Sequence, residues 1–305
     1  MLHLRVISPP GDTERVVGLL TAEAGATNVV VLAGAAREPA GDLVLADVVR
    51  EAASPVLTAL RKLGIDEHGS IAVETVDVAL SRNARRAADA APGLSGDAVV
   101  WDEIEQKTGE ETELSGTFLA MLAIATIIAG IGVLLDQPIL IVGAMVVGPE
   151  FGPLASLCVG IVRRRGRSVR RALLALAVGF PVGILVTVLT TWGLDAVGLV
   201  DKGMLLRERP LTDFIWRPDA LSWVVGFFAG IAGMLSLTSA KAGPMIGVLI
   251  SVTTVPAAAN IAVALAYGVP HEAGGSALQL LINLAAIVAA GVATLLVLRL
   301  LWRRA

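Results

Sequence analysis

The stretch LSGTFLAMLAIATIIAGIGVLLDQPILIVGAMVVGPEFGPLASLCVGIV, residues 114–162, decides the fold class. Its first part, 114–135, has no Lys, Arg, Asp or Glu. It is about the roughly 20 residues long that a helix needs to cross hydrocarbon. A second apolar run, 137–162, begins just after Asp136. Toward the C-terminus comparable runs recur at 172–194, 220–240, 243–268 and 277–298. A soluble core has no use for six such runs in succession. Residues 114–305 are therefore expected to form an α-helical multi-pass membrane domain of six spans, in contact with the lipid bilayer.

Composition agrees with this division. The chain of 305 residues is 55% hydrophobic and only 17% charged. Its charge is split, with a net −9 over residues 1–113 and +6 over 114–305. Two regions so different are built for different solvents. The three histidines are scattered, the single Cys158 lies in an apolar run, and no phosphate loop, nucleophile elbow or zinc-protease signature is present. These features argue against an enzyme: no catalytic residue, metal site or cofactor is expected. No basic, aromatic-rich patch points to nucleic acid. Residues 1–10 lack the pattern of a secretory signal, so the N-terminal region is expected to stay in the cytoplasm.

Residues 1–80 read as a small α/β domain. LHLRVIS (2–8), NVVVLAG (28–34), DLVLADVVRE (42–51) and GSIAVETVDVAL (69–80) have strand patterns. DTERVVGLLTAEAG (12–25) and SPVLTALRKLGI (54–65) have helix patterns, the second with Ser54 as cap and Pro55 at its first position. The order β-α-β-β-α-β is that of the ferredoxin-like split fold, which by itself carries no function. Residues 81–113 form an acidic connector, with WDEIEQKTGEETEL expected as a helix or elbow into the membrane domain.

Loop charge sets the topology. The link RRRGRSVRR (163–171) is the most basic segment, and the tail RLLWRRA (299–305) is basic too. The 269–276 loop has no Lys or Arg, and the 195–219 loop sets four Lys/Arg against five Asp/Glu. Lys and Arg collect on the cytoplasmic side, which puts both termini there.

The six spans also divide into two sets of three. IAGIGVL (128–134) is echoed by FAGIAGM (228–234), and IVGAMVVGPEFGPLA (141–155) by MIGVLISVTTVPAAA (245–259), at offsets of about 100 and 104 residues. Three spans is an odd number, so a copy must enter from the opposite face. That is the inverted 3+3 repeat common among transporters.

Within this frame spans two and five stand out. Pro149 and Pro153, with Gly148 and Gly152, weaken the helix ladder of span two; Pro256, among Thr253, Thr254 and Asn260, does the same in span five. Broken helices at matching places mark a substrate or ion site, whereas kinks healed by Ser and Thr mark nothing. Both readings stay open, and Pro181 in span three shows a kink elsewhere. Glu150 sits mid-span with no cation in its own run, at a cost of about 2.5–3.5 kcal/mol on insertion scales. It is either an ion site or a structural acid bonded to a neighbouring helix. Lys241 is its candidate charge partner, against the commoner alternative of a lysine that snorkels to the interface.

SGTFLAMLAIATIIAGIGVLLDQPILIVGAMVVGPEFGPL (115–154) resembles the prokaryotic uncharacterised hydrophobic domain family, domain of unknown function 389. Ser115, Phe118, Leu119, Gly130, Gly132, Asp136, Gly143, Ala144, Met145, Pro149 and Pro153 carry the likeness, which extends loosely to about residue 265. Family members carry apolar residues between the two prolines, so Glu150 departs from the pattern. The resemblance implies a six-span protein of the bacterial inner membrane with a cytoplasmic N-terminal domain, and no particular substrate. The leading expectation is a secondary transporter or channel-like protein for a small solute or ion, gated by that domain and homo-oligomeric. The rival is a membrane-anchored sensor or scaffold.

Overall fold

The computed structural model describes residues 1–76, 79, 81–90, 99–238 and 254–301. Two compact units are present, one built on Met1–Glu103, the other on Ile104–Leu237 and the helices that follow.

The first unit runs β1 (Leu2–Ser8), α1 (Thr13–Ala22), β2 (Ala26–Arg37), β3 (Ala40–Val48), α2 (Arg50–Lys62), α3 (Ile65–His68) and β4 (Ser70–Thr75). The order read from the sequence is present, with the one-turn α3 added before the last strand. The sheet has the order β2-β3-β1-β4, every neighbouring pair antiparallel. Alternation does the sorting: Leu2, Leu4 and Val6 of β1 and Val44, Ala46 and Val48 of β3 point into one core. Val16 and Leu20 of α1 and Ala53, Val56 and Leu60 of α2 complete that core. A β-carbon at Gly69 would strike the Ile7 carbonyl oxygen, so the chain entering β4 needs glycine there.

One helix start differs from expectation. α2 begins at Arg50, a turn ahead of Ser54, so Pro55 lies inside the helix. Burial fixes this start: Val49, Ala52 and Ala53 are all in the core, and the Val49 N–H donates to the Gly25 carbonyl at 2.9 Å. The Ser54 hydroxyl donates to the Val99 carbonyl and caps nothing. The connector contributes α4 (Arg82–Ala90) and α5 (Trp101–Glu111).

The second unit is helical: α6 (Gly116–Leu134), α7 (Pro138–Val147), α8 (Phe151–Arg163), α9 (Gly166–Ala196), α10 (Lys202–Leu206), α11 (Ala220–Thr238), α12 (Val255–Ala266) and α13 (Pro270–Leu301). α6, α9, α11 and α13 are each long and apolar enough to cross a membrane. α7 and α8 are bent by 54° and together can make a fifth crossing. The chain is therefore a membrane-embedded protein. Of the expected fifth span, 243–268, the part before residue 254 lies outside the described residues, and α12 is its apolar remainder.

Two expected loops are largely helix. α9 starts at Gly166, so the basic link shrinks to a turn in which Arg164 is left-handed (φ 57°). α13 starts at Pro270 and takes in almost all of 269–276. Hydropathy alone misplaces both starts because the first turns carry polar side chains. α9 also runs through Pro181 as one helix.

Contacts identify the two ends of this unit. At one end Glu105 of α5 pairs with Arg163 and Arg165 at 3.5 and 3.2 Å, and Arg299 donates to the Val162 carbonyl at 2.9 Å. At the other end Asp136, between α6 and α7, accepts from the Thr212 hydroxyl at 2.8 Å, and Arg207 donates to the Leu134 carbonyl at 2.9 Å. Trp192 of α9 donates to the Ala266 carbonyl of α12, and the Trp216 ring meets His271 edge-on. α6, the α7–α8 pair, α9 and α13 thus each run from one end to the other.

Glycines seat the helices along two seams. In the first, β-carbons at Gly183 and Gly130 would press on Thr126 and Thr187, at 3.2 Å each. In the second, Gly226 lies against Asn283 and Ala286, and Gly230 against Ile287 and Ala290. The pairs 126/183 and 130/187 thus recur at 226/283 and 230/287, 100 residues on. Small residues permit such close approach within a membrane.

Candidate functional site

The bend between α7 and α8 is made by Gly148-Pro149-Glu150. The Gly148 N–H still reaches the Ala144 carbonyl at 3.1 Å, Pro149 has no N–H to give, and the Glu150 carbonyl accepts the first bond of α8 from Leu154. Glu150 is therefore the N-cap residue of α8. Pro153 and Pro256 act differently from expectation. They are the third residue of α8 and the second of α12, first-turn positions whose amides have no acceptor within the helix. They start helices, and the break itself rests on Pro149.

Thr254 is the N-cap residue of α12. Its hydroxyl donates to Glu150 Oε1 at 2.8 Å, with both residues buried. A β-carbon on Gly148 would overlap Glu150 Oε2 and come within 2.9 Å of Val255, so the break and the start of α12 nearly touch. Two helix N-termini, each with amide groups bare of intrahelical partners, thus begin at a single carboxyl group. Helix N-termini favour negative charge. Glu150 Oε2 has no hydrogen-bond partner among the described residues.

Asn260 belongs to a second polar centre. Its Oδ1 accepts from Arg209 Nη1 at 3.3 Å, and its Nδ2 donates to the Ser276 hydroxyl at 2.8 Å. Arg209 Nη2 pairs with Glu272 Oε2 at 2.7 Å, and the two side chains are only 1% and 7% exposed. An arginine from the connection between α10 and α11 thus reaches into the helical unit and is neutralised there.

The structure brings Pro149, Glu150 and Thr254 together, places Pro153 and Pro256 beside them, and separates Asn260 into the second centre. Thr253 and Lys241 lie outside the described residues. Sequence reasoning missed Arg209, Glu272 and Ser276, because 195–219 and 269–276 read as loops, and Gln279, because a single carboxamide passes unnoticed in the apolar run 277–298. The signal was the spacing Glu272, Ser276, Gln279, Asn283, one face of a helix at i, i+4, i+7 and i+11.

A hollow of ≈ 320 Å³ adjoins the break, lined by Pro149, Phe151 and Gly152 on one side and Glu110, Glu111 and Glu113 on the other.

Residues 145–289 match the model of a family described as Domain of unknown function (DUF389). The match places this part of the chain in that family, as the resemblance of 115–154 implied. It covers the break, α12 and the polar face of α13, while the motif from Ser115 to Asp136 precedes it. An uncharacterized protein of Methanocaldococcus jannaschii is 24% identical over 189 residues, which are 62% of this chain. The aligned part spans 56% of that relative's length. No solved structure matches.

Proposed function

We propose that the chain is a secondary transporter or channel-like protein of the bacterial inner membrane, passing a small ion at the helix break around Glu150. One observation carries this reading: α8 and α12 start face to face at Glu150 and Thr254, joined by the 2.8 Å hydrogen bond. Discontinuous helices that meet within a membrane unit are the usual framework of an ion or substrate site. The remaining oxygen of Glu150 is the group that would meet the ion.

The same pair supports a six-span inverted repeat. Residues 104 apart, equivalent in the sequence alignment of the halves, touch each other as residues near a two-fold axis do. Helix lengths recur as well: α6 and α11 have 19 residues each, and α9 and α13 have 31 and 32. The end carrying Arg163, Arg165 and Arg299 is the cytoplasmic one by the positive-inside rule, so both termini lie there. In this reading the ferredoxin-like N-terminal domain gates the site, and the chain has no enzymatic role.

A scaffold reading draws on a separate observation. β2 lies at the sheet edge and exposes Val30, Val31 and Leu32, a surface that could pair with another strand. Flux separates the two. Proteoliposomes with purified protein are expected to pass protons or alkali cations, and Glu150→Gln to lose most of that flux. No flux from the wild type across a broad ion panel would overturn the transport reading.

A further inference from the structure

The polar face of α13 plays no part in the ion reading. Glu272, Ser276, Gln279 and Asn283 share that face, and the rise from first to last is about 16 Å at 1.5 Å per residue. That is roughly half of a 30 Å hydrocarbon core. Glu272 is held by Arg209, and Ser276 by Asn260. Gln279 is held by nothing: it is 1% exposed, and neither its amide nitrogen nor its amide oxygen has a hydrogen-bond partner among the described residues. Burying a carboxamide with both ends unbonded is strongly unfavourable, so its place in the fold calls for a group of complementary chemistry.

We propose that Gln279 anchors a hydrated binding site for a small uncharged solute that presents a hydrogen-bond donor beside an acceptor, such as an amide or urea group. The charges at hand decide against an ionic ligand. Arg209 and Glu272 cancel at 2.7 Å, and Asn260, Ser276 and Asn283 are neutral. A carboxamide offers one donor and one acceptor side by side and fits the same pair on its ligand. Glu272, paired with Arg209, lies two turns away on the same face of α13. The inference rests on the transport reading for the purpose of the site, but its test does not depend on ion flux.

The test is thiol labelling of the full chain, with Gln279→Cys in a Cys158→Ala background and a small charged methanethiosulfonate reagent. Only a thiolate reacts, so reaction requires water at the site. Residue 279 is expected to react at least about tenfold faster than Ile287→Cys, two turns deeper on the same helix, and acetamide or urea should slow it. The Glu150→Gln substitution should leave this labelling unchanged, which keeps the inference separable from the ion site. An unreactive residue 279 would mean a dry packed amide and overturn the proposal. Reaction that acetamide, urea and glycerol all fail to slow would overturn the solute class. Should Gln279→Cys fail to fold, Gln279→Met serves in its place. Wild-type proteoliposomes should then re-swell in an acetamide gradient faster than protein-free ones, and Gln279→Met should abolish the difference; equal rates for wild type and variant would contradict the proposal.

Discussion

Where α6 meets α9 the seam is lined by Thr126, Gly183 and Thr187, and its polar atoms answer one another. Thr187 donates to Thr126 at 2.9 Å, and Thr126 to the Gly183 carbonyl at 3.2 Å. One hundred residues later, where α11 meets α13, the corresponding places hold Gly226, Asn283 and Ile287. The same face of α13 also carries a buried ion pair and an unbonded carboxamide. The first seam is closed by its own hydrogen bonds; beside the second lies the buried Gln279 carboxamide, without a hydrogen-bond partner among the described residues. At the helix break the loading is reversed, with the acid Glu150 in the first set and Thr254 facing it from the second. Similar packing 100 residues apart thus carries unequal chemistry.

The largest effect should come from the ion pair, which has no counterpart in the first seam. Arg209→Ala or Glu272→Ala alone leaves a buried charge without its partner and should cost about 3–5 kcal/mol. Thermal unfolding in detergent measures this. The double variant Arg209→Met with Glu272→Leu should recover most of the loss, since apolar replacement of a buried pair is often neutral. Single variants as stable as wild type would break the contrast between the seams.

A smaller effect sharpens the comparison. At Gly230 a β-carbon would meet the Ile287 carbonyl oxygen at 2.6 Å, backbone that cannot step aside. At Gly130 it would meet the methyl groups of Thr187 and Val263 at 3.2 Å, which can. Gly230→Ala should therefore lose about 1–3 kcal/mol, and Gly130→Ala clearly less. Equal losses would show that the second seam is no tighter than the first.

Much of this was legible in the sequence. Alternation in 42–51 and 69–80, with the β-branched run at 2–8, pointed to the sheet, because burying one face of a strand fixes every second residue. Uncharged runs gave the long helices, and the prolines and glycines of 148–153 pointed to the break. The pairing of Glu150 with Thr254 was only implicit in the 104-residue offset, since a hydrogen bond between helices depends on packing that no single segment encodes. The role of Arg209 was hidden for the same reason: a charged residue in a charged connection looks solvated until the fold buries it. Glu272 and Ser276 were lost to a boundary error, because hydropathy starts a helix at its first apolar turn, whereas α13 starts at Pro270.

The central claim is that the two sets of helices enter the membrane from opposite faces. Labelling of intact cells with a membrane-impermeant thiol reagent tests it directly, using Arg165→Cys and Gly268→Cys separately in a Cys158→Ala background. These positions follow α8 and α12, the helices that start at Glu150 and Thr254. The account predicts labelling from outside at 268 only, with 165 reacting after the membrane is opened. Labelling of both positions from the same side would contradict it.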